Sequence, residues 1–229
     1  MEINRALIID TETSGLTDDA ELIEVGLVLY SVTNQYTLQE FATLLPATKN
    51  EAESINRIKV EALKETATFF LPPACQQIQA MCNSADVYVA HNAAFDELVI
   101  QRDAGLGIPV KTWLCTMADF KWPLVTKEQG SLINLALDHG IGVASAHRAL
   151  TDCRLIASLF DRMTDLQSMF QVAMRPKGLF QALVSYDDRE LAKAAGFKWN
   201  GADKSWTRQL ALEDAEKLSF RVRRLDQAA

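Results

Sequence analysis

The stretch Ala6-Leu7-Ile8-Ile9-Asp10-Thr11-Glu12-Thr13-Ser14-Gly15-Leu16 decides how the chain is read. Four consecutive apolar residues suit a buried strand, and Gly15 marks where the chain turns away. Side chains alternate across a strand, so Asp10 and Glu12 project from one face. They stand at the carboxyl end, where the sites of open α/β sheets gather. Two like charges held side by side repel: either one is protonated or a multivalent cation lies between them, and hard carboxylate oxygens suit magnesium or manganese. A solvated strand end has the same Asp-x-Glu pattern, so the decision falls to acids further along.

Outward from this strand, Glu21 to Tyr30 and Tyr36 to Leu45 are two more apolar runs. The short polar link Ser31-Val32-Thr33-Asn34-Gln35 makes them an antiparallel meander with the first. Ile55 to Thr66 has helical spacing, Pro72-Pro73 interrupts it, and a second helix from about Ala74 to Cys82 leads to the strand Asp86 to Ala90. Helix and strand then alternate, through a short strand at Trp113 to Met117 and a helix from Ser131 to His139 that Gly140 stops. A meander followed by alternating elements predicts an α/β domain, a mixed sheet flanked by helices.

Two acids break the apolar periodicity downstream. In the helix opened by His91-Asn92-Ala93-Ala94-Phe95-Asp96, Asp96 heads the apolar line of Val99 and Ile100. Asp152 does the same for Leu155, Ile156, Leu159, Phe160 and Met163. A carboxylate on a core-facing line is costly unless it is paired or holds a metal. His147, five residues before Asp152, belongs to the loop Val143-Ala144-Ser145-Ala146, free to reach a site that Asp152 helps to build.

The apolar fraction is ordinary for a globular protein, and 229 residues allow one large domain with an appendage. No run approaches the roughly 20 apolar residues that cross a bilayer, and the first residues lead directly into a strand, so the expectation is a cytoplasmic protein without a membrane partner. Cys75, Cys82, Cys115 and Cys153 lack metal-ligand spacing and read as reduced, mostly buried thiols. The net charge of -7 is uneven: residues 1–174 hold 12 Lys+Arg against 22 Asp+Glu, and residues 175–229 hold 11 against 8. Acids that take up divalent cations can still meet phosphates.

The set Asp10, Glu12, Asp96, His147 and Asp152 resembles, in order, the three motifs of the DEDD superfamily of 3′→5′ exonucleases, in the DEDDh branch whose third motif is His-x4-Asp. The motifs read Ile-Ile-Asp-Thr-Glu-Thr-Ser-Gly-Leu, Ala-His-Asn-Ala-Ala-Phe-Asp and His-Arg-Ala-Leu-Thr-Asp, and the resemblance spans about residues 5–163. It implies a ribonuclease-H-like fold with a mixed five-stranded sheet, and hydrolysis with two divalent ions, Mg2+ or Mn2+. Those ions would be held by Asp10, Glu12, Asp96 and Asp152, with His147 as general base. Thr11, Thr13, Gly15, Leu16, Asn92 and Phe95 would hold the terminal nucleotide. The implied substrate is the 3′ end of single-stranded DNA, releasing nucleoside 5′-monophosphates. Members acting on RNA share the same set, and a proofreading or tethering role beside a polymerase or another replication or repair partner is the further alternative. At Asn56, where relatives commonly carry histidine, this sequence departs from the pattern.

Arg175-Pro176-Lys177-Gly178 marks a boundary, so the expected domains are 1–174 and a small α+β module, 175–229. The module reads as a strand from Leu179 to Val184, a helix capped by an acid of Asp187-Asp188 and ended by Gly196, a basic aromatic hairpin from Phe197 to Arg208, and a last helix carrying Leu212, Ala215, Leu218, Val222 and Leu225. Trp199 and Trp206 fit either core packing or base stacking, and the expected role is an accessory nucleic-acid or protein contact.

Overall fold

The computed structural model describes residues 2–17, 19–66, 71–125 and 130–226, and the chain divides into two compact units, Met1–Ala173 and Met174–Ala229. In the first, strands β1 (Arg5–Thr13), β2 (Leu22–Ser31) and β3 (Tyr36–Leu44) form the meander. Helices α1 (Glu53–Asn56), α2 (Val60–Glu65) and α3 (Leu71–Ser84) lead to β4 (Val87–Ala90). Then come α4 (Ala93–Arg102), β5 (Trp113–Cys115), α5 (Leu132–Asp138), α6 (Ala149–Phe160) and α7 (Leu166–Ala173). The sheet order is β3-β2-β1-β4-β5, antiparallel on the meander side and parallel for β1-β4-β5. This is the mixed five-stranded, ribonuclease-H-like sheet.

Both faces of the central strands are covered, which is why β2 is buried from end to end. Leu7, Ile9, Val25, Leu27 and Leu29 face a core that includes Ile78 and Met81 of α3 and Val99 and Ile100 of α4. The alternate positions face α6, where the Tyr30 and Phe160 rings lie 5.6 Å apart and the Cys153 thiol reaches the Gly26 carbonyl at 3.3 Å. Asp10 and Glu12 share the parity of Ile8 and so belong to the α6 side of the sheet. Among the described residues no helix is long and apolar enough to cross a membrane.

Local departures from the sequence reading have local causes. The helix expected over Ile55–Thr66 is two short ones, because Arg57 takes a left-handed turn (φ 58°) that closes α1. Pro72 and Pro73 lie inside the first turn of α3, where a missing N–H costs no hydrogen bond.

The second unit is a four-stranded sheet in the order β7-β8-β6-β9, built from β6 (Lys177–Ala182), β7 (Lys198–Asn200), β8 (Ser205–Ala211) and β9 (Val222–Arg224). Its helices are α8 (Arg189–Ala194) and the single turn α9 (Leu212–Ala215). Phe180, Ala192, Phe197 and Leu210 centre a core of its own. Two expectations fail here. Asp188 precedes α8 without a side-chain cap and instead takes the Ser185 hydroxyl at 2.6 Å. The expected last helix stops after α9. Leu218, Phe220 and Val222 reach the same core with the period-two spacing of an extended chain, and β9 pairs with the edge of β6, where its backbone groups find partners.

Candidate active site

β1 and β4 run parallel with their carboxyl ends side by side, and the site is built there from three elements. β1 contributes Asp10 and Glu12. The chain leaving β4 turns through Asn92, whose left-handed backbone (φ 67°) is one asparagine tolerates, and starts α4 at once. The first turn of α4 sets Asp96 against Thr11: one carboxylate oxygen accepts the Thr11 N–H at 3.0 Å and its hydroxyl at 2.7 Å. Asp96 is 2% exposed, and burial holds its carboxyl well above the usual range even though both bonds from Thr11 favour the charged form.

The third element arrives from the opposite side. α6 crosses β2 at Gly26, the residue paired with Asp10, so closely that a Cβ there would lie 2.4 Å from the Ala149 carbonyl carbon. That approach brings Asp152, in the first turn of α6, over the acids of β1. Asp152 Oδ2 accepts the His147 N–H at 3.2 Å, while its Oδ1 is buried without a hydrogen-bond partner. His147 is exposed, with a left-handed backbone (φ 61°) that turns the loop into α6. A ring nitrogen of His147 and carboxylate oxygens of Glu12 and Asp152 lie within 4.8 Å of one another.

Electrostatics tie the set together. Burial first, then the charges of Asp96, Asp152, Glu12 and Glu24, push the Asp10 carboxyl far up. Glu12 is pushed up to about 7 by burial and then by Asp152 and Glu24, with Arg148 opposing. Burial also raises Asp152, against the favourable neighbourhood of His147. Four carboxyls strained by burial, Asp10 and Glu12 also by the charges of the others, and one with a buried oxygen lacking a partner, form a donor set that divalent cations would relieve. An all-carboxylate set suits Mg2+ or Mn2+.

Three contributors escaped the sequence reading. Glu24, paired across the strands with Glu12, is 3% exposed. It receives Arg148 through a fork, with Nη2 at 2.7 Å and Nε at 3.0 Å, and it also accepts the Ala149 N–H at 3.0 Å. This clamp fixes the start of α6 next to His147. The available signal was an acid inside the otherwise apolar run Leu22 to Tyr30. Gly26, the third, is a requirement of close approach that one sequence does not display.

The expected nucleotide-binding residues divide. Leu16 is 92% exposed beyond the end of β1, Asn92 is exposed, and Phe95 packs one side against the core. The Thr11 hydroxyl is committed to Asp96 and the Thr13 hydroxyl to the Gly15 carbonyl at 2.7 Å, so their side chains shape the loop from within. Asn56, 1% exposed, donates to the Thr13 carbonyl at 3.4 Å and accepts the Ile58 N–H at 3.1 Å. It therefore braces the β1 end. His91 is structural, bonded to Thr116 and to the Gly130 carbonyl.

A family profile described as "Exonuclease" matches residues 7–160, a span that contains all five residues of the site. The chain belongs to the exonuclease family. DNA polymerase III subunit epsilon of Treponema pallidum (strain Nichols) is 31% identical to this exonuclease over 166 residues, 67% of this chain and 74% of that protein. Exonuclease X, solved in complex with 5′-overhanging duplex DNA, is similar in fold: 24% identity, 73% of this chain and 97% of that one, TM-score 0.51. So is the nuclease domain of 3′hExo, a DEDDh family member bound to rAMP, at 16% identity, 70% and 92% coverage and TM-score 0.57. The exonuclease family expected from the motifs agrees with the profile and with the epsilon relative. A second profile, described only as a domain of unknown function, matches residues 178–225 of this exonuclease.

Proposed function

We propose that this exonuclease hydrolyses DNA from 3′ ends, releasing nucleoside 5′-monophosphates, with His147 as general base and Asp10, Glu12, Asp96 and Asp152 as the ligands of two divalent cations. The observation that carries the reading is the convergence of these acids from β1, α4 and α6 on one place, with an exposed imidazole beside two of them. Mg2+ or Mn2+ in this set would supply activation of a water and neutralisation of charge at the leaving 3′ oxygen.

The chain's own groups do the rest. Asp96, locked by two bonds from Thr11, and Asp152, fixed at the start of α6, present oxygens in set positions, so little reorganisation is needed as the reaction proceeds. His147, whose ring stands at the open side of the acids, takes the proton of the attacking water and passes it to solvent. The exposed Leu16 and the partly buried Phe95 offer apolar surfaces for the terminal base and sugar.

The DNA assignment draws support from the epsilon relative, and that same likeness motivates a polymerase or other repair partner. The decisive assay follows 3′-labelled single-stranded DNA and matched RNA in Mg2+ or Mn2+. Release of labelled mononucleotide from DNA, abolished by Asp152→Ala, is expected. An Asp152→Ala protein that still degrades the strand at the normal rate overturns the proposal, and faster cleavage of RNA replaces DNA as substrate.

A further inference from the structure

The second unit holds an open cleft of about 650 Å³, within the size range that admits a nucleotide-sized ligand. It lies where two neighbouring strands part. The pairing of β6 with β8 ends at Gln181–Thr207, and the cleft is lined by the chain continuing from β6 and by the start of β8. Its walls include Trp206, packed on the unit's core, and Trp199, paired with Trp206 across β7 and β8 but 53% exposed. The two indole centroids are 5.6 Å apart. Tyr186, 78% exposed, stands at the rim with the Arg189 guanidinium 4.0 Å from its ring centre. Arg189 also donates to the Tyr186 carbonyl at 2.7 Å, which holds the guanidinium beside the ring. Arg189 and Lys204 line the cleft, and among the described residues no acid does, the Glu190 carboxylate lying 3.9 Å from Arg189 Nε outside the lining.

We infer that this cleft is a binding site for single-stranded nucleic acid, with one base stacked on Trp199 or Tyr186 and the flanking phosphates held by Arg189 and Lys204. Sequence-tolerant strand binding needs flat aromatic faces open to solvent beside cations. A small unit that needed its aromatics only for stability would bury Trp199 as it buries Phe197. Charge selects the ligand: the segment 175–229 carries 11 Lys+Arg against 8 Asp+Glu, while 1–174 is strongly acidic, so the cationic cleft suits a polyanion. The choice of polymer rests on the nuclease reading; the existence of the cleft does not.

The test uses the full chain in EDTA, so that no strand is cut, with fluorescence anisotropy of a labelled 20-nucleotide oligo(dT). Trp199→Ala should weaken binding of the 20-mer about tenfold, as loss of one stacked base predicts. Trp199→Phe should restore most of the affinity, and Lys204→Gln should lower the salt dependence by about one ion. Hydrolysis of the p-nitrophenyl ester of thymidine 5′-monophosphate in Mn2+, a substrate confined to the catalytic site, should be the same in all variants. A Trp199→Ala protein that binds the 20-mer like the parent overturns the inference. An ester left uncut by the parent protein refutes the nuclease reading and leaves the binding result to be judged separately.

Discussion

Replacing Gly26 by alanine should disable the site without altering any acid. The added methyl would stand 2.4 Å from both the Ala149 carbonyl carbon and the Leu150 nitrogen, and 2.7 Å from the Ala149 oxygen. All three are backbone atoms, so no side chain can swing aside, and ordinary contact at about 3.5–4.0 Å requires the first turn of α6 to withdraw by about 1 Å. Asp152 lies in that turn and His147 just before it, whereas Asp10, Glu12 and Asp96 ride on other elements. Overpacking of this kind costs about 1–3 kcal/mol of stability, and a misplacement of 1 Å within a catalytic set costs roughly 100-fold in rate. The assay is release of mononucleotide from 3′-labelled single-stranded DNA in Mg2+, read beside thermal unfolding of the same samples. Gly142→Ala is the control, since a methyl there meets nothing within 4 Å. Gly26→Ala protein that remains folded and cleaves within threefold of the parent rate would refute the claim that close approach of α6 assembles the site.

The other predictions concern charge. Arg148→Ala should cost more stability than Glu24→Gln, about 3 against about 1 kcal/mol in chemical unfolding, because the first strands a carboxylate 4% exposed and the second frees a guanidinium already 47% exposed. The same pair should move cation binding in opposite directions. Arg148 repels and Glu24 attracts positive charge at Glu12, and a divalent ion feels each more strongly than the competing proton does, so at pH 6 titration with Mn2+ should find tighter binding in Arg148→Ala and weaker binding in Glu24→Gln. His147→Asn, chosen because asparagine tolerates the left-handed backbone, should leave the unfolding temperature unchanged and reduce the cleavage rate by about 100-fold or more, as loss of a general base does. The metal-free protein should lose stability as pH rises from 5 to 8. Carboxyls raised on folding bind more protons in the native state, so their contribution is complete below the ordinary carboxylate range and disappears as pH passes about 7, the value for Glu12. Glu12 alone should account for about 2 kcal/mol after allowance for its exposure, and Mg2+ or Mn2+ should raise the unfolding temperature more at pH 8 than at pH 5.

What the sequence displayed and what it hid divide along a physical line. Asp96 and Asp152 were visible because each interrupts an apolar line at helical spacing, a placement that local physics penalises and only a site explains. Asp10 and Glu12 were visible for the related reason that two charges end a buried strand. The clamp of Arg148 on Glu24 joins residues 124 positions apart, and nothing at either position alone announces the other. The close approach at Gly26 is likewise a property of two elements together. The end of the chain failed differently. Leu212, Ala215 and Leu218 fit a helix, but Leu218, Phe220 and Val222 fit an extended chain equally well, and the exposed edge of β6, a feature of the assembled sheet, settles the choice in favour of β9. Local pattern therefore located the groups proposed to do the chemistry. The groups that hold them in place are found only when α6 is laid across β2, and substitution at Gly26, Glu24 or Arg148 should disturb catalysis even though none of the three belongs to the proposed ligand set.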